Sequence, residues 1–140
     1  MKFFFFLSLL IVSSIFINCS KSKDDSIEKD DPVEDSRYYV TYKYDIKIAN
    51  SVNPIIQLKI QTENGETVKQ LHTSKWEATY GPFKKNDHIY INATCYAPTS
   101  SITDSYVQLY VSKEKEPFVL KGEYRTLSKT TFSAEYTIDF

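Results

Sequence analysis

The sequence predicts an all-β fold, an antiparallel sandwich or small barrel of about eight short strands. Of its 140 residues 15% are aromatic, with 11 Tyr and 9 Phe, and this composition favours strands over helices. Apolar and polar residues alternate along most of the chain from residue 37 onward, and turn signals recur about every ten residues. No long window keeps the 3.6-residue period of an amphipathic helix.

Residues 38–48 form the most regular strand of this prediction. One register of the strand is apolar and consists of Tyr38, Val40, Tyr42, Tyr44, Ile46 and Ile48. A second alternating run covers residues 56–61, and Asn64-Gly65 after it predicts a hairpin, because this dipeptide readily takes the positive φ values of a type I′ turn. The returning strand is expected at residues 68–72. A fourth strand places Trp76 in the core between two sheets and ends at Gly81-Pro82.

The second half of the chain carries three more alternating faces. These faces are formed by Ile89, Ile91, Ala93 and Cys95, by Val107, Leu109 and Val111, and by Phe132, Ala134, Tyr136, Ile138 and Phe140. The segments between them are a polar turn at residues 84–87, a Ser/Thr loop at residues 98–105 and a charged turn at residues 113–116. Phe118 and Leu120 lead into a less regular stretch. Because the last face runs to the final residue, we expect the C-terminus to be paired in the sheet.

An apolar run at the start of the chain predicts an export signal. Met1-Lys2 supplies a positive charge, and residues 3–17 are apolar except for three serines. A helix that crosses a bilayer needs about 20 apolar residues. The run is short by that measure and fits a secretory signal peptide, with an uncleaved anchor helix as the alternative. We therefore assign residues 1–18 to a signal peptide, 19–36 to a tether and 37–140 to one β-domain.

The tether is defined by its charge. Residues 20–36 contain seven acidic and three basic side chains and few aliphatic ones. Such a segment cannot bury enough apolar area to offset the entropy of ordering, so we predict that it is disordered. A linker that only increases solubility would have the same composition.

Short motifs around Cys19 indicate where the protein is sent. Ile17-Asn18-Cys19-Ser20 resembles the lipobox of bacterial lipoproteins, which implies that Cys19 becomes the first mature residue and carries acyl chains. Two or more such chains anchor a protein stably to a membrane. Ser22-Lys23-Asp24-Asp25 resembles the export signal of Bacteroidetes surface lipoproteins and implies transfer to the outer leaflet of the outer membrane, with a periplasm-facing anchor as the alternative. Asp25-Ser26-Ile27 resembles the O-glycosylation motif of the same bacteria, with Ser26 as the acceptor.

The β-domain also resembles a known family. The matching segments are Tyr39-Val40-Thr41-Tyr42, Asn64-Gly65, Ser74-Lys75-Trp76, Asn86-Asp87 and residues 107–111. They are similar to small membrane-anchored domains of the mycobacterial membrane protein small-subunit type and to Bacteroidetes lipoprotein relatives of that type. The resemblance implies an immunoglobulin-like sandwich and an accessory or partner-binding role without catalysis.

The residues offer little for catalysis or cofactor binding. The two histidines are His72 and His88, and His88 faces away from Cys95 because seven residues, an odd number, separate them along one strand. We expect Cys95 to be a small buried thiol. The chain has no metal-binding spacing of His, Cys or Asp and no glycine-rich phosphate loop. We therefore expect no cofactor, no metal site and no enzymatic activity.

Four tyrosines form the candidate binding face. Tyr90, Tyr96, Tyr106 and Tyr110 lie in the polar register of two consecutive strands, opposite the aliphatic residues. If the two strands pair, the four rings form one amphipathic patch for a partner protein or glycan. If the strands lie in opposite sheets, the rings face away from each other and no patch exists. Cross-strand pairing that only stiffens a solvent-facing sheet is the alternative to a binding role.

The combined prediction is a non-catalytic, lipid-anchored binding or accessory module at the outer membrane or cell surface. Its expected partners are the membrane itself, through the anchor, and an envelope protein or glycan. The net charge of −1 gives no reason to expect nucleic acid as a partner. A periplasm-facing accessory subunit of a transport or envelope complex is the second alternative, and a small hydrolase is the third.

Overall fold

A computed structural model describes residues 36–49, 54–97 and 101–140, all within the compact unit Glu34–Phe140. The predicted signal peptide, Cys19, the export motif, Ser26 and nearly all of the tether lie outside these residues. The described part contains eight strands: β1 (Tyr38–Ile48), β2 (Ile56–Thr62), β3 (Gly65–Leu71), β4 (Lys75–Phe83), β5 (His88–Cys95), β6 (Ile102–Lys113), β7 (Val119–Thr126) and β8 (Thr131–Thr137). None of the described residues belongs to a helix that could span a membrane.

The eight strands form two four-stranded antiparallel sheets. Sheet 1 has the order β4-β1-β6-β7, and sheet 2 has the order β3-β2-β5-β8. The predicted all-β sandwich is therefore confirmed, as two separate layers rather than one closed sheet. The edge strands are β4 and β7 in sheet 1 and β3 and β8 in sheet 2.

The core lies between the sheets and is built from the predicted alternation. Its fully buried side chains include Tyr42, Tyr44, Leu58, Ile91 and Leu109. Burying tyrosine is costly unless its hydroxyl finds a partner. The Tyr42 hydroxyl donates to the carbonyl oxygen of Gln61 at 2.6 Å, and the Tyr44 hydroxyl donates to that of Thr73 at 3.0 Å. The long tyrosine rings thus fill the core while their hydroxyls reach backbone groups at its rim.

The hairpin at Asn64-Gly65 forms as predicted, but its turn type differs. The predicted type I′ turn needs positive φ at both Asn64 and Gly65, and Asn64 does not have it. Among the residues of this hairpin turn, 62–65, only Gly65 has positive φ, at 105°, as in a type I turn followed by a glycine bulge. The Thr62 hydroxyl stabilises this arrangement by donating to the carbonyl oxygen of Gly65 at 2.7 Å and accepting from the Asn64 amide at 3.3 Å.

Gly81-Pro82 does not end the fourth strand. Strand β4 continues through it to Phe83, which pairs with Tyr38, and the register shifts between the Tyr38 and Val40 pairs. Proline is tolerated here because β4 is an edge strand, where one side of the backbone needs no ladder partner. The bulge therefore absorbs the glycine and the proline within the sheet.

The last two strands differ from the prediction at their ends. The less regular stretch is the edge strand β7, and β8 leaves the ladder after Thr137. Beyond it, the Ile138 amide donates to the carbonyl oxygen of Asp87 at 3.1 Å, and the Asn86 amide donates to that of Ile138 at 2.8 Å. The Phe140 ring meets the Tyr38 ring edge-on at 5.5 Å between centroids. The C-terminus is thus held by a turn and a ring contact instead of by sheet pairing.

Candidate functional site

The four candidate tyrosines do not form one patch. Tyr90 and Tyr96 belong to β5 or follow it in sheet 2, whereas Tyr106 and Tyr110 belong to β6 in sheet 1. Each pair points away from the core between the sheets, so the two pairs lie on opposite outer faces of the sandwich. The connection between β5 and β6 crosses from one sheet to the other. The length of this connection is compatible both with paired strands and with strands in opposite sheets, so the sequence does not decide between them. The prediction of one four-tyrosine patch is therefore wrong, and the tyrosines form two separate pairs.

On the outer face of sheet 2, each tyrosine has a polar partner on another strand of the sheet. The Tyr90 hydroxyl donates to Glu66, which also pairs with Lys59 at 3.0 Å. The hydrogen bond to Glu66 raises the pKa of Tyr90 to about 12, because the neighbouring carboxylate disfavours a tyrosinate. Tyr96 is 61% exposed, and its hydroxyl donates to the Gln57 side chain at 3.1 Å.

On the outer face of sheet 1, Tyr106 and Tyr110 have different surroundings. The Tyr110 hydroxyl donates to Gln108 on its own strand at 2.9 Å. The Arg125 guanidinium lies 5.4 Å from the centre of the Tyr106 ring, within range of a cation–π interaction. Opposite Arg125, the ladder partner of Tyr106 is Asp45 on β1. Tyr106 is therefore flanked by a cation on one side and a carboxylate on the other.

Asp45 lies in a groove of about 430 Å³ on this face. The residues that line the groove are Lys43, Tyr44, Asp45, Lys75, Trp76, Glu77 and Tyr106. Two cross-strand ion pairs span it between β1 and β4: Lys75 Nζ lies 3.0 Å from Asp45 Oδ2, and Lys43 Nζ lies 3.7 Å from Glu77 Oε2. The pairs occupy successive rows of the ladder with opposite polarity, so each charge has unlike neighbours across and along the strands.

Asp45 is unusual for a charged residue. It is only 8% exposed, and its Oδ1 atom is the one buried side-chain polar atom among the described residues that has no hydrogen-bond partner. Buried polar atoms in proteins nearly always have partners, since an unpaired one loses its hydration without compensation. The lining of the groove thus includes a residue whose second carboxylate oxygen is satisfied by none of the described residues.

A bulge in β6 lies directly beside Asp45. The ladder runs from Asp45–Tyr106 to Lys47–Thr103, so β6 has one residue more than β1 between these pairs. Asp104 in the bulge has a φ of 30°, unusual for a non-glycine residue. Its carboxylate pairs with Lys47 at 3.0 Å and with Arg125 at 3.1 Å. The Lys47 hydrogen bond holds the pKa of Asp104 below its ordinary value.

The bulge is held in place by a buried hydroxyl. Ser105 is fully buried, and its Oγ accepts from the Lys47 amide at 3.0 Å and donates to the Thr103 carbonyl oxygen at 2.9 Å. These bonds replace the ladder hydrogen bonds that the extra residue interrupts. Because Arg125 joins Asp104 and covers Tyr106, the bulge and the ring beside the groove are fixed together.

Trp76 lies at the open side of the sandwich and packs against the core rather than within it. It is half-buried, and its ring stacks on Tyr44 with centroids 6.0 Å apart. Lys69, from β3 of the other sheet, places its Nζ 5.7 Å from the centre of the Trp76 ring and donates to the Tyr80 hydroxyl at 2.7 Å. Trp76 thus contributes mainly to the closure between β3 and β4.

The predicted separation of His88 from Cys95 is confirmed. His88 is exposed and Cys95 is buried, so they occupy opposite faces of β5. Burial raises the pKa of the Cys95 thiol, which leaves little nucleophilic thiolate at neutral pH. In residues 36–49, 54–97 and 101–140, no three His, Cys, Asp or Glu side chains are grouped so that they could hold a metal ion.

Sequence reasoning did not single out Asp45. In the sequence, Asp45 is one of several polar residues in the outer register of β1. The available signal was its type, because aspartate is depleted in the middle of strands. No protein-family model matches this chain, and no match was found among curated proteins.

Proposed function

We propose that this protein is a non-catalytic binding module that is anchored by lipid at Cys19 and displayed on the outer membrane. The groove at Asp45 is the observation that carries the binding role, because one oxygen of the Asp45 carboxylate lacks a partner among the residues that the structure describes. The anchor rests on the sequence, where Cys19 follows an apolar run and precedes an acidic segment.

The chemistry of the domain supports binding over hydrolysis. The charged groups beside the groove are paired as Lys75–Asp45 and Lys43–Glu77. A pair of carboxylates that worked as acid and base would need different environments that separate their pKa values. Here each carboxylate is neutralised by its own lysine, an arrangement that suits reversible recognition by hydrogen bonds.

The anchor is tested by acyl labelling. The Cys19→Ala variant should incorporate no labelled palmitate and should accumulate as an unprocessed precursor in the membrane fraction. Cys95→Ala is the matched control, since it removes the other cysteine of the chain and should leave labelling unchanged. Label retained in Cys19→Ala would refute the lipoprotein assignment.

The orientation is tested by protease treatment of intact cells, and the sequence contains its own control. Lys23-Asp24-Asp25 and Lys29-Asp30-Asp31 are the same tripeptide at two distances from Cys19. Replacing residues 23–25 with alanine should protect the β-domain from external protease, whereas the same replacement at residues 29–31 should not. Equal accessibility of both variants would remove the basis for an export signal. Protection of the unaltered protein would favour the periplasm-facing accessory subunit.

A further inference from the structure

We propose that the groove at Asp45 binds one unit of a neutral saccharide, with Asp45 Oδ1 accepting a hydrogen bond from a ligand hydroxyl. This inference rests on the proposed binding function and names its ligand class. The first observation that supports it is the carboxylate of Asp45. Asp45 Oδ2 has Lys75 as its partner, but Oδ1 is buried without one. A ligand that donates a hydrogen bond to Oδ1 would supply what the fold does not.

The ion-pair partner of Asp45 is a solvent-exposed lysine. Lys75 pairs with Asp45 from the edge strand β4, and its side chain is 73% exposed, whereas that of Asp45 is 11% exposed. A ligand that displaces Lys75 must therefore donate hydrogen bonds to the Asp45 carboxylate in its place, because a buried charge without a partner is costly.

The charges around the groove select against ionic ligands. Two ammonium groups, from Lys43 and Lys75, are balanced by the carboxylates of Asp45 and Glu77. A cation entering the groove would meet the lysines, and an anion would meet the carboxylates, so neither sign is steered toward it. A neutral ligand with many hydroxyl groups can instead donate to the carboxylates and accept from the ammonium groups.

The dimensions of the groove and the aromatic side chain at its border fit one sugar ring. Neighbouring strands are about 4.8 Å apart and successive rows about 6.8 Å apart, so the four charged groups outline a small rectangle. Tyr106 borders this rectangle next to Asp45 and offers an amphipathic ring. Its position is fixed by Arg125 at 5.4 Å. Polar groups that fix orientation beside an aromatic surface are the usual composition of a small-molecule site.

The test measures saccharide binding by the full-length lipoprotein in a sugar-free detergent, by isothermal titration calorimetry. The neutral probes are maltohexaose, cellohexaose, laminarihexaose and mannohexaose, and the ionic probes are hexagalacturonate and hexalysine. At least one neutral probe should bind saturably. Asp45→Asn and Tyr106→Ala should each weaken it by about tenfold or more, the loss expected for one buried hydrogen bond or one ring contact.

Controls separate the groove from the rest of the surface. Tyr90→Phe, on the outer face of sheet 2 and away from the groove, should retain affinity within about twofold. The melting temperature of Asp45→Asn should equal or exceed that of the unaltered protein, because the amide removes a buried charge without a full set of partners. A loss of binding with an unchanged melting temperature shows that Asp45 serves the ligand and not the fold.

Several results would overturn the proposal. They are absence of binding by all four neutral probes, equal loss in Tyr90→Phe, or Asp45-dependent binding of hexalysine or hexagalacturonate only. Failure here is distinguishable from failure of the proposed function. If Cys19 is acylated and the domain is accessible on cells but no saccharide binds, only the ligand assignment falls. If a saccharide binds but Cys19→Ala still carries palmitate, only the anchor falls.

Discussion

Gly122 on β7 faces Ala134 on β8 across the sandwich, and a Cβ atom added to Gly122 would lie 3.4 Å from the Ala134 Cβ. The same atom would lie 3.4 Å from the Glu135 carbonyl oxygen and 3.7 Å from the Leu109 Cβ. The edge strands of the two sheets approach closely here because both positions carry minimal side chains. A methyl group at position 122 would therefore meet its neighbours at contact distance.

The effect of a substitution at Gly122 on the free energy of unfolding should therefore change sign as the new side chain becomes larger. Gly122→Ala should be neutral or stabilise the protein by up to about 1 kcal/mol, since alanine restricts the unfolded chain and fits at contact distance. Gly122→Leu should destabilise it by about 1–3 kcal/mol through overpacking. Urea unfolding measures both. A steady loss of stability from glycine through alanine to leucine would show that the closure tolerates no side chain at all.

Two glycines with positive φ should differ in their response to alanine. Gly81 has a φ of 140°, and a Cβ there would lie 2.7 Å from the Tyr38 carbonyl oxygen, whereas Gly65 has a φ of 105° and open space around it. Both substitutions carry a conformational cost of about 1–3 kcal/mol. Gly81→Ala should cost more, because the backbone of β1 must also move. Thermal melting of the two variants gives the order, and a larger loss for Gly65→Ala would contradict the packing at the β4 bulge.

The Cys95 thiol should resist alkylation in the folded protein. Burial raises its pKa, so the reactive thiolate forms only at higher pH than in an exposed cysteine, and access is blocked as well. In the Cys19→Ala background, iodoacetamide at pH 8 should modify the thiol in urea and leave it unmodified without urea. Rapid modification under native conditions would place Cys95 near solvent and reopen the question of a reactive cysteine.

Acid should weaken the fold partly through Asp104. The hydrogen bond from Lys47 lowers the pKa of Asp104 in the folded state, so its contribution to stability is present above the ordinary aspartate pKa of 3.8 and is lost as the pH falls through the lower folded value. Asp104→Asn should make the acid-side decline in stability shallower. The midpoints of urea unfolding from pH 2.5 to pH 6 measure this decline. Glu116→Gln, in an exposed turn, is the control. Parallel curves for all three proteins would exclude the linkage.

The strand β1 shows why much of this fold could be predicted. Tyr42 and Tyr44 had to face the core because period-two alternation leaves a strand only one way to bury them. The turn at Asn64-Gly65 was identified but its type was not, because one glycine with positive φ suffices for a bulged turn. The extension of β4 past Pro82 depended on its being an edge strand, which the sequence of β4 alone does not reveal.

The candidate site was harder to predict from the sequence than the strands, because the site depends on which strands become neighbours. Tyr90 and Tyr110 share an outward register in any arrangement, but only the order of strands decides whether they share a surface. Asp45 gains its significance from Lys75 on one side and Tyr106 on the other, two residues separated from it by 30 and 61 positions in the chain. Such a juxtaposition comes from the long-range ladder and leaves no local pattern.

The proline in β4 has a consequence for association between copies of the domain. An exposed edge strand can template pairing with another chain, and Pro82 has no N–H to offer while the bulge twists the edge out of register. The opposite edge of sheet 1 also carries a register shift, between the Leu109–Gly122 and Tyr110–Leu120 pairs, but at its start Phe118, Val119 and Leu120 are exposed and uncharged in succession. Aggregation, when conditions promote it, should therefore begin along β7, and a lysine at position 119 should suppress it.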